Sequence, residues 1–209
     1  MENAIANFQM KIAKISRKIL SFFFEIEIKG IENIQNLSGP IIIAPMHKTY
    51  IDHFFLIAEL AKTKSLLPIR TMTRYDFLEK PFLSSFLKKG GAFPNSAMSY
   101  RASLRILSGG GVVLIYPEGG TYKEPGIREF RPGLSHLAMQ TKVYVLPVAF
   151  QGLEHFLVKR MIFNPLTYVR PRKKVSIIFG RLFRNDENFS GEKFSEEIRK
   201  RMLFLYTYK

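Results

Sequence analysis

Two residues of this chain, His47 and Asp52, combine the types and spacing best suited to moving a proton. An aspartate hydrogen-bonded to one imidazole nitrogen fixes the tautomer and stabilises the imidazolium, leaving the other nitrogen to take a proton from an attacking hydroxyl. Such general-base assistance is typically worth about 10²–10⁴ in rate. Five residues of regular helix turn through about 500°, which would aim the two side chains some 140° apart. They meet only if His47 sits in a loop and Asp52 in the first helical turn. Thr49 fits that arrangement, since Thr49-x-x-Asp52 reads as a capping box with Thr49 at N-cap and Asp52 at N3. The same spacing equally serves a structural pair, Asp52 capping the helix and His47 bonding backbone. The chain has no Cys and no Gly-x-Ser-x-Gly elbow, so if the pair works as a dyad its nucleophile belongs to the substrate.

A second cluster is Pro117-Glu118-Gly119-Gly120-Thr121, where the apolar run Val112 to Tyr116 opens into a turn. Glycines there let backbone N–H groups approach an anion, and Thr121 adds a hydroxyl. Of the other histidines, His53 is expected to face solvent or core rather than substrate, while His136 and His155 have no partners at metal-ligand spacing. No metal is expected.

The elements that must position these clusters are legible as periodicity. Phe24, Ile26 and Ile28 alternate with charged residues up to Gly30, as in a half-buried strand. Ile41 to Ala44, Val112 to Tyr116, Val143 to Phe150 and Val175 to Phe179 are short continuous apolar runs, as in strands buried on both faces. Helical patterns lie between them at about 51–62, 76–88, 98–108 and 130–140, and a terminal one at about 196–206. This alternation predicts an α/β fold, a mostly parallel central sheet flanked by helices. In such folds active residues gather at the carboxyl ends of strands, where both clusters fall.

Ile5, Phe8, Ile12, Ile15, Ile19 and Phe22 recur at helical spacing, flanked by Lys11, Lys14, Arg17 and Lys18. The pattern serves either an interfacial helix or one packed on the domain's own core. No run approaches the roughly 20 apolar residues of a membrane span, and the N-terminus lacks the layout of a secretory signal. With 209 residues, 46% hydrophobic, the chain suits one globular domain. Its 32 Lys+Arg against 17 Asp+Glu give +15, which calls for a polyanionic partner. Zinc-finger spacing and RNP-like aromatic blocks are missing, so lipid suits the charge better than nucleic acid. The absence of Cys excludes thiolate catalysis, disulfides and Cys-ligated zinc.

Together the two clusters resemble those of the PlsC-like glycerolipid acyltransferase family, whose best-known members acylate lysophosphatidic acid: His-x4-Asp, then Phe-Pro-Glu-Gly-Thr-Arg. Further blocks follow in the family's order: Glu27 to Asn33, Arg74 to Pro81, Gly90 to Pro94, Arg131-Pro132-Gly133 and Val145 to Ala149. The resemblance implies an amphipathic membrane-associating helix over 1–23 and an acyltransferase domain over 24–209. It implies a peripheral enzyme on the cytoplasmic face of a membrane, moving a fatty acyl group from a thioester donor, acyl-CoA or acyl carrier protein, to a lysolipid hydroxyl. No cofactor is implied. His47 would be the general base and Asp52 its orienting partner. Arg74, Glu118, Gly119, Gly120, Thr121 and Lys123 would contact the substrate, Arg74 as a phosphate contact.

The chain departs from the family at specific places. Ser96 stands where an Arg usually contacts the acceptor phosphate, Gly120 is inserted before Thr121, Tyr122 replaces the usual Arg, and Met46 replaces an Asn. Lys123, Arg128 and Arg131 are candidates to restore the charge. The alternatives left open are a phosphate-free lysolipid acceptor, such as a lyso-aminolipid or glycolipid, and an inactive lipid-binding relative. In the basic run Arg170, Arg172, Lys173 and Lys174, the sequence offers either a solvated face or a site for headgroups or an acidic carrier.

Overall fold

The computed structural model describes residues 2–94, 96–121, 126–153, 172–186 and 188–207. Helix α1 spans Glu2–Phe23 and leads directly into strand β1, Phe24–Lys29. Then follow α2 (Glu32–Gln35), β2 (Ile41–Pro45), α3 (Asp52–Leu60), β3 (Ile69–Thr73), α4 (Tyr75–Leu78), α5 (Pro81–Lys89), β4 (Ala92–Pro94) and α6 (Ala97–Ser108). The chain continues through β5 (Val112–Leu114), α7 (Gly133–Thr141), β6 (Tyr144–Gln151), β7 (Lys173–Phe179) and α8 (Gly191–Thr207).

The strands form one sheet in the order β1-β7-β6-β2-β5-β3-β4. β6 and β7 are antiparallel, and every other neighbouring pair runs parallel. β2 is central, and all five of its residues are buried because it is covered on both faces. It pairs with β5 through Ile41–Val112, Ile42–Val113 and Ile43–Leu114, so the two loops leaving these strands lie side by side at their carboxyl ends. One loop carries His47 and the other Glu118.

Three sequence expectations are corrected. The helical pattern at 76–88 is two helices, because Pro81 lacks an N–H and starts a new helix at its first position. β3 and β4 are strands without a continuous apolar run; Ile69–Thr73 carries Arg and Thr, and Ala92–Pro94 is only three residues long. The terminal helix begins at Gly191 rather than near 196.

Helix α1 packs one face on the domain and leaves part of another exposed. Ile5, Gln9, Ala13, Ser16 and Leu20 are buried, while Ile15, Ile19 and Phe22 are exposed. The buried Gln9 binds the helix down: Nε2 donates to the Ile69 carbonyl at 2.6 Å and the Gly90 carbonyl at 2.8 Å, and Oε1 accepts the Ile69 N–H at 3.0 Å. Arg17 adds a bond from Nη2 to the Ala58 carbonyl at 2.5 Å. His155 and Arg170 lie outside the described residues.

Candidate active site

The loop after β2 folds around Asp52. This fully buried side chain accepts three hydrogen bonds on Oδ2: the backbone N–H of Lys48 at 2.9 Å, that of Thr49 at 3.0 Å, and His47 Nδ1 at 3.1 Å. The two backbone bonds fix the loop, and the third orients the imidazole. With Nδ1 facing Asp52, Nε2 is left for the cavity that His47 lines. The expected capping box is half made. Asp52 reaches back to the Thr49 N–H, but Thr49 Oγ1 accepts from Ile51, at 3.1 Å, rather than from the N–H of residue 52. Asp52 therefore opens α3 from its first position and keeps its carboxylate turned toward His47.

Glu118, from the turn after β5, holds the other side of the loop. Its Oε1 accepts the His47 N–H at 3.0 Å and its Oε2 the Arg128 N–H at 3.1 Å. Burial raises its carboxyl above the ordinary value, while these N–H groups and the Lys48 charge pull the other way. Both oxygens thus serve the scaffold. Gly119, Gly120 and Thr121 line the cavity, and Lys123 and Tyr122 lie outside the described residues.

The ring of Tyr116 stacks on His47, with centroids 4.0 Å apart and planes at 26°. Its hydroxyl stands 3.5 Å from Asp52 Oδ1 and 3.4 Å from His53 Nδ1, contacts at the long end of hydrogen bonding. Burial, reinforced by the Asp52 charge, pushes the phenol well above 10, so it stays protonated. His53 also lines the cavity, which corrects the expectation that it avoids the substrate side. Burial lowers it from 6.5 to about 4 against the opposing pull of Asp52, with the His47 charge lowering it further, so it is neutral at physiological pH. In the sequence Tyr116 reads only as the end of an apolar run, and its one signal is its position just before Pro117-Glu118-Gly119.

The cavity in front of these groups measures about 600 Å³, within the range of small-molecule sites. Its walls are mostly apolar, with Phe8 and Ile12 from α1, Phe54 from α3, Phe86 and Leu87 from α5 and Leu137 from α7. Arg74 and Arg131 are the Lys or Arg residues among the described lining. They differ in what holds them. Arg74 is exposed and forms a two-point pair with Asp76, Nε to Oδ1 at 3.1 Å and Nη2 to Oδ2 at 2.8 Å. Arg131 lies over Gly119, where a Cβ would come within 2.2 Å of its Nε, and it has no carboxylate partner among the described residues. Ser96 lines the cavity too, but its hydroxyl is 3.0 Å from Ser99 Oγ and its N–H donates to that oxygen at 2.8 Å, closing the start of α6. Met46 is fully buried, its sulfur accepting the Phe150 N–H at 3.0 Å.

A family model described as Acyltransferase matches residues 25–151, more than half the chain and the whole of the site just described. The chain belongs to the acyltransferase family. Its curated relatives include the chloroplastic 1-acyl-sn-glycerol-3-phosphate acyltransferase LPAT1 of Arabidopsis thaliana, 24% identical over 149 residues, 68% of this chain and 40% of that protein. Another is a 1-acyl-sn-glycerol-3-phosphate acyltransferase of Borreliella burgdorferi, 26% identical over 67% of this chain and 56% of the relative. The chain thus spans about half the length of the curated relatives it matches. In fold it is similar to the 1-acyl-sn-glycerophosphate acyltransferase PlsC of Thermotoga maritima, with a TM-score of 0.70 at 18% identity, covering 96% of this chain and 81% of that one. The α/β fold with a mostly parallel central sheet is therefore the fold of an acyltransferase, and the N-terminal helix is part of it.

Proposed function

We propose that this acyltransferase-family chain transfers a fatty acyl group from a thioester, acyl-CoA or acyl carrier protein, to a hydroxyl of 1-acyl-glycerol-3-phosphate, giving phosphatidic acid. The observation that carries the reading is the His47 Nδ1 to Asp52 Oδ2 contact of 3.1 Å at the wall of a mostly apolar cavity. His47 Nε2 takes the proton of the acceptor hydroxyl as its oxygen bonds to the thioester carbonyl carbon. Collapse of the tetrahedral intermediate breaks the C–S bond, and the imidazolium returns the proton to the departing thiolate. Asp52 holds the tautomer throughout. The apolar walls accommodate acyl chain, and Arg131, without an acidic partner among the described residues, is the described group best placed to meet the acceptor phosphate.

A lysolipid acceptor would set the enzyme to work at a lipid surface. Among the described residues no helix is long and apolar enough to cross a membrane. The exposed Ile15, Ile19 and Phe22 of α1, beside its lysines, suit a peripheral contact.

The test is turnover by His47→Ala with acyl-CoA and acyl carrier protein donors over a panel of lysolipids. His47 is at the cavity wall and not in the core, so the variant should melt like the parent while losing about 10²–10⁴ of the rate. Unchanged turnover would reject the general-base role, and a parent chain that acylates nothing in the panel would reject the activity.

A further inference from the structure

On α1, three faces follow one another around the axis. At about 100° per residue, the buried residues Ile5, Gln9, Ala13, Ser16 and Leu20 occupy one arc of roughly 80°. The next arc, also roughly 80° wide, carries Phe8, Ile12, Ile15, Ile19 and Phe22. Beyond it come Lys11, Lys18 and Lys14, which are exposed and make no ion pair among the described residues. Phe8 and Ile12 are half-buried, while Phe22 is 68% exposed, Ile15 55% and Ile19 52%, so the latter part of the middle arc is an apolar stripe that the domain does not cover.

That stripe does not end on α1. Phe8 meets Phe86 of α5 edge-to-face, with ring centroids 5.5 Å apart, and both rings line the cavity. From Phe86 the apolar side of α5 runs outward one turn to Phe82, which is 95% exposed. Lys89 lies two turns from Phe82 on the same edge and Lys88 adjoins it; both are exposed and unpaired among the described residues. At 95% exposure Phe82 buries almost nothing against the described residues.

We propose that α5 is a second membrane contact, with Phe82 inserted into an anionic leaflet alongside the α1 stripe, so that the cavity opens onto lipid between the two helices. The occupant is argued from charge and continuity. Lysines without an ion pair among the described residues border apolar side chains on both helices, the arrangement that suits a headgroup boundary, and the chain as a whole carries +15. Phe82 also stands one helical turn from Phe86, which lines the cavity, so the exposed ring and the apolar wall of the site share one side of α5. This rests on the lipid-substrate reading above and adds to it a contact outside α1.

The test is sedimentation of the full chain with phosphatidylcholine vesicles, with and without phosphatidylglycerol, measured without turnover. The parent should bind the anionic vesicles better. Phe82→Ser should lower partitioning onto them by about tenfold, with the same melting profile, since Phe82 buries nothing in the fold. Lys88→Gln with Lys89→Gln should weaken binding at low salt and flatten its salt dependence. Partitioning of Phe82→Ser within twofold of the parent would overturn the proposal. So would a dimer that Phe82→Ser converts to monomer while vesicle binding stays unchanged, because the patch would then be covered by a second copy. Vesicle binding lost in Phe82→Ser by a chain that acylates no lysolipid would support this surface while rejecting the proposed activity, so the two failures are separable.

Discussion

At the residue scale, the site divides into groups that touch the cavity and groups that hold those groups still. Asp52 receives two backbone N–H groups besides His47 Nδ1, and Glu118 receives the His47 N–H, so both faces of the His47 loop are fastened by buried carboxyl groups. His53 is half-buried beside that cluster, and burial is what lowers it. Its value falls from 6.5 to about 4, and that depression is a stability statement. Between these values the unfolded chain binds a proton that the folded chain refuses, so stability is present above 6.5 and is lost as pH falls toward 4. The full difference is worth roughly 3 kcal/mol. Glu118, raised above 4.5, acts with the opposite sign, favouring the folded state at low pH and losing that contribution as pH rises through its folded value. Replacing His53 by Gln should therefore remove much of the acid-side loss between pH 6.5 and 4, measured as thermal midpoint against pH. A slope identical to that of the parent would place the acid sensitivity elsewhere.

At the element scale, two neighbouring parallel strands do the positioning. β2 delivers His47 and β5 delivers Tyr116, Glu118 and Gly119, and their pairing from Ile41–Val112 to Ile43–Leu114 sets both loops at one edge. Gly119 has a φ of +71° and lies under Arg131, so it is a glycine for two reasons, backbone conformation and the guanidinium packed where a Cβ would be. Arg131→Gln should raise KM for 1-acyl-glycerol-3-phosphate by about 10–100-fold, the loss of a charged hydrogen bond, and leave KM for a monoacylglycerol unmoved. Gly119→Ala should reproduce that rise by displacing the guanidinium, with added loss of stability. An unmoved KM for the phosphorylated acceptor in Arg131→Gln would remove Arg131 from acceptor binding. This element pair also shows what a sequence makes legible. His47 and Asp52 could be found because their five-residue spacing is local, and β2 and β5 because burial on both faces leaves continuous apolar runs. Tyr116 and His53 could not be placed at one site, because what joins them is the adjacency of strands some 70 positions apart, and Arg131 could be offered only as one of three candidates for the missing charge. β3 stayed hidden for a related reason: it carries Arg70, Thr71 and Thr73 and borders the cavity, so its composition follows the site and not a buried strand.

At the scale of the whole molecule, α1 is both a wall of the cavity and a part of the core. It contributes buried Ile5, Ala13 and Leu20, packs along α3 and β1, and lines the cavity through Phe8 and Ile12. A peripheral anchor tethered to a self-sufficient domain could be removed with little effect on folding; a helix built in this way could not. Gln9 makes the distinction measurable, because its amide satisfies the Ile69 N–H and the carbonyls of Ile69 and Gly90, where β3 starts and α5 ends. Gln9→Leu keeps comparable bulk but leaves those buried backbone groups unpaired, so it should cost about 1–3 kcal/mol and lower the melting midpoint. Vesicle binding should survive in the folded fraction, since the lysines and the exposed stripe are untouched. Deleting residues 2–23 should abolish cooperative melting as well as membrane binding. A truncated chain that still melts as sharply as the parent would show that the core stands without α1, and the helix would then be an anchor alone.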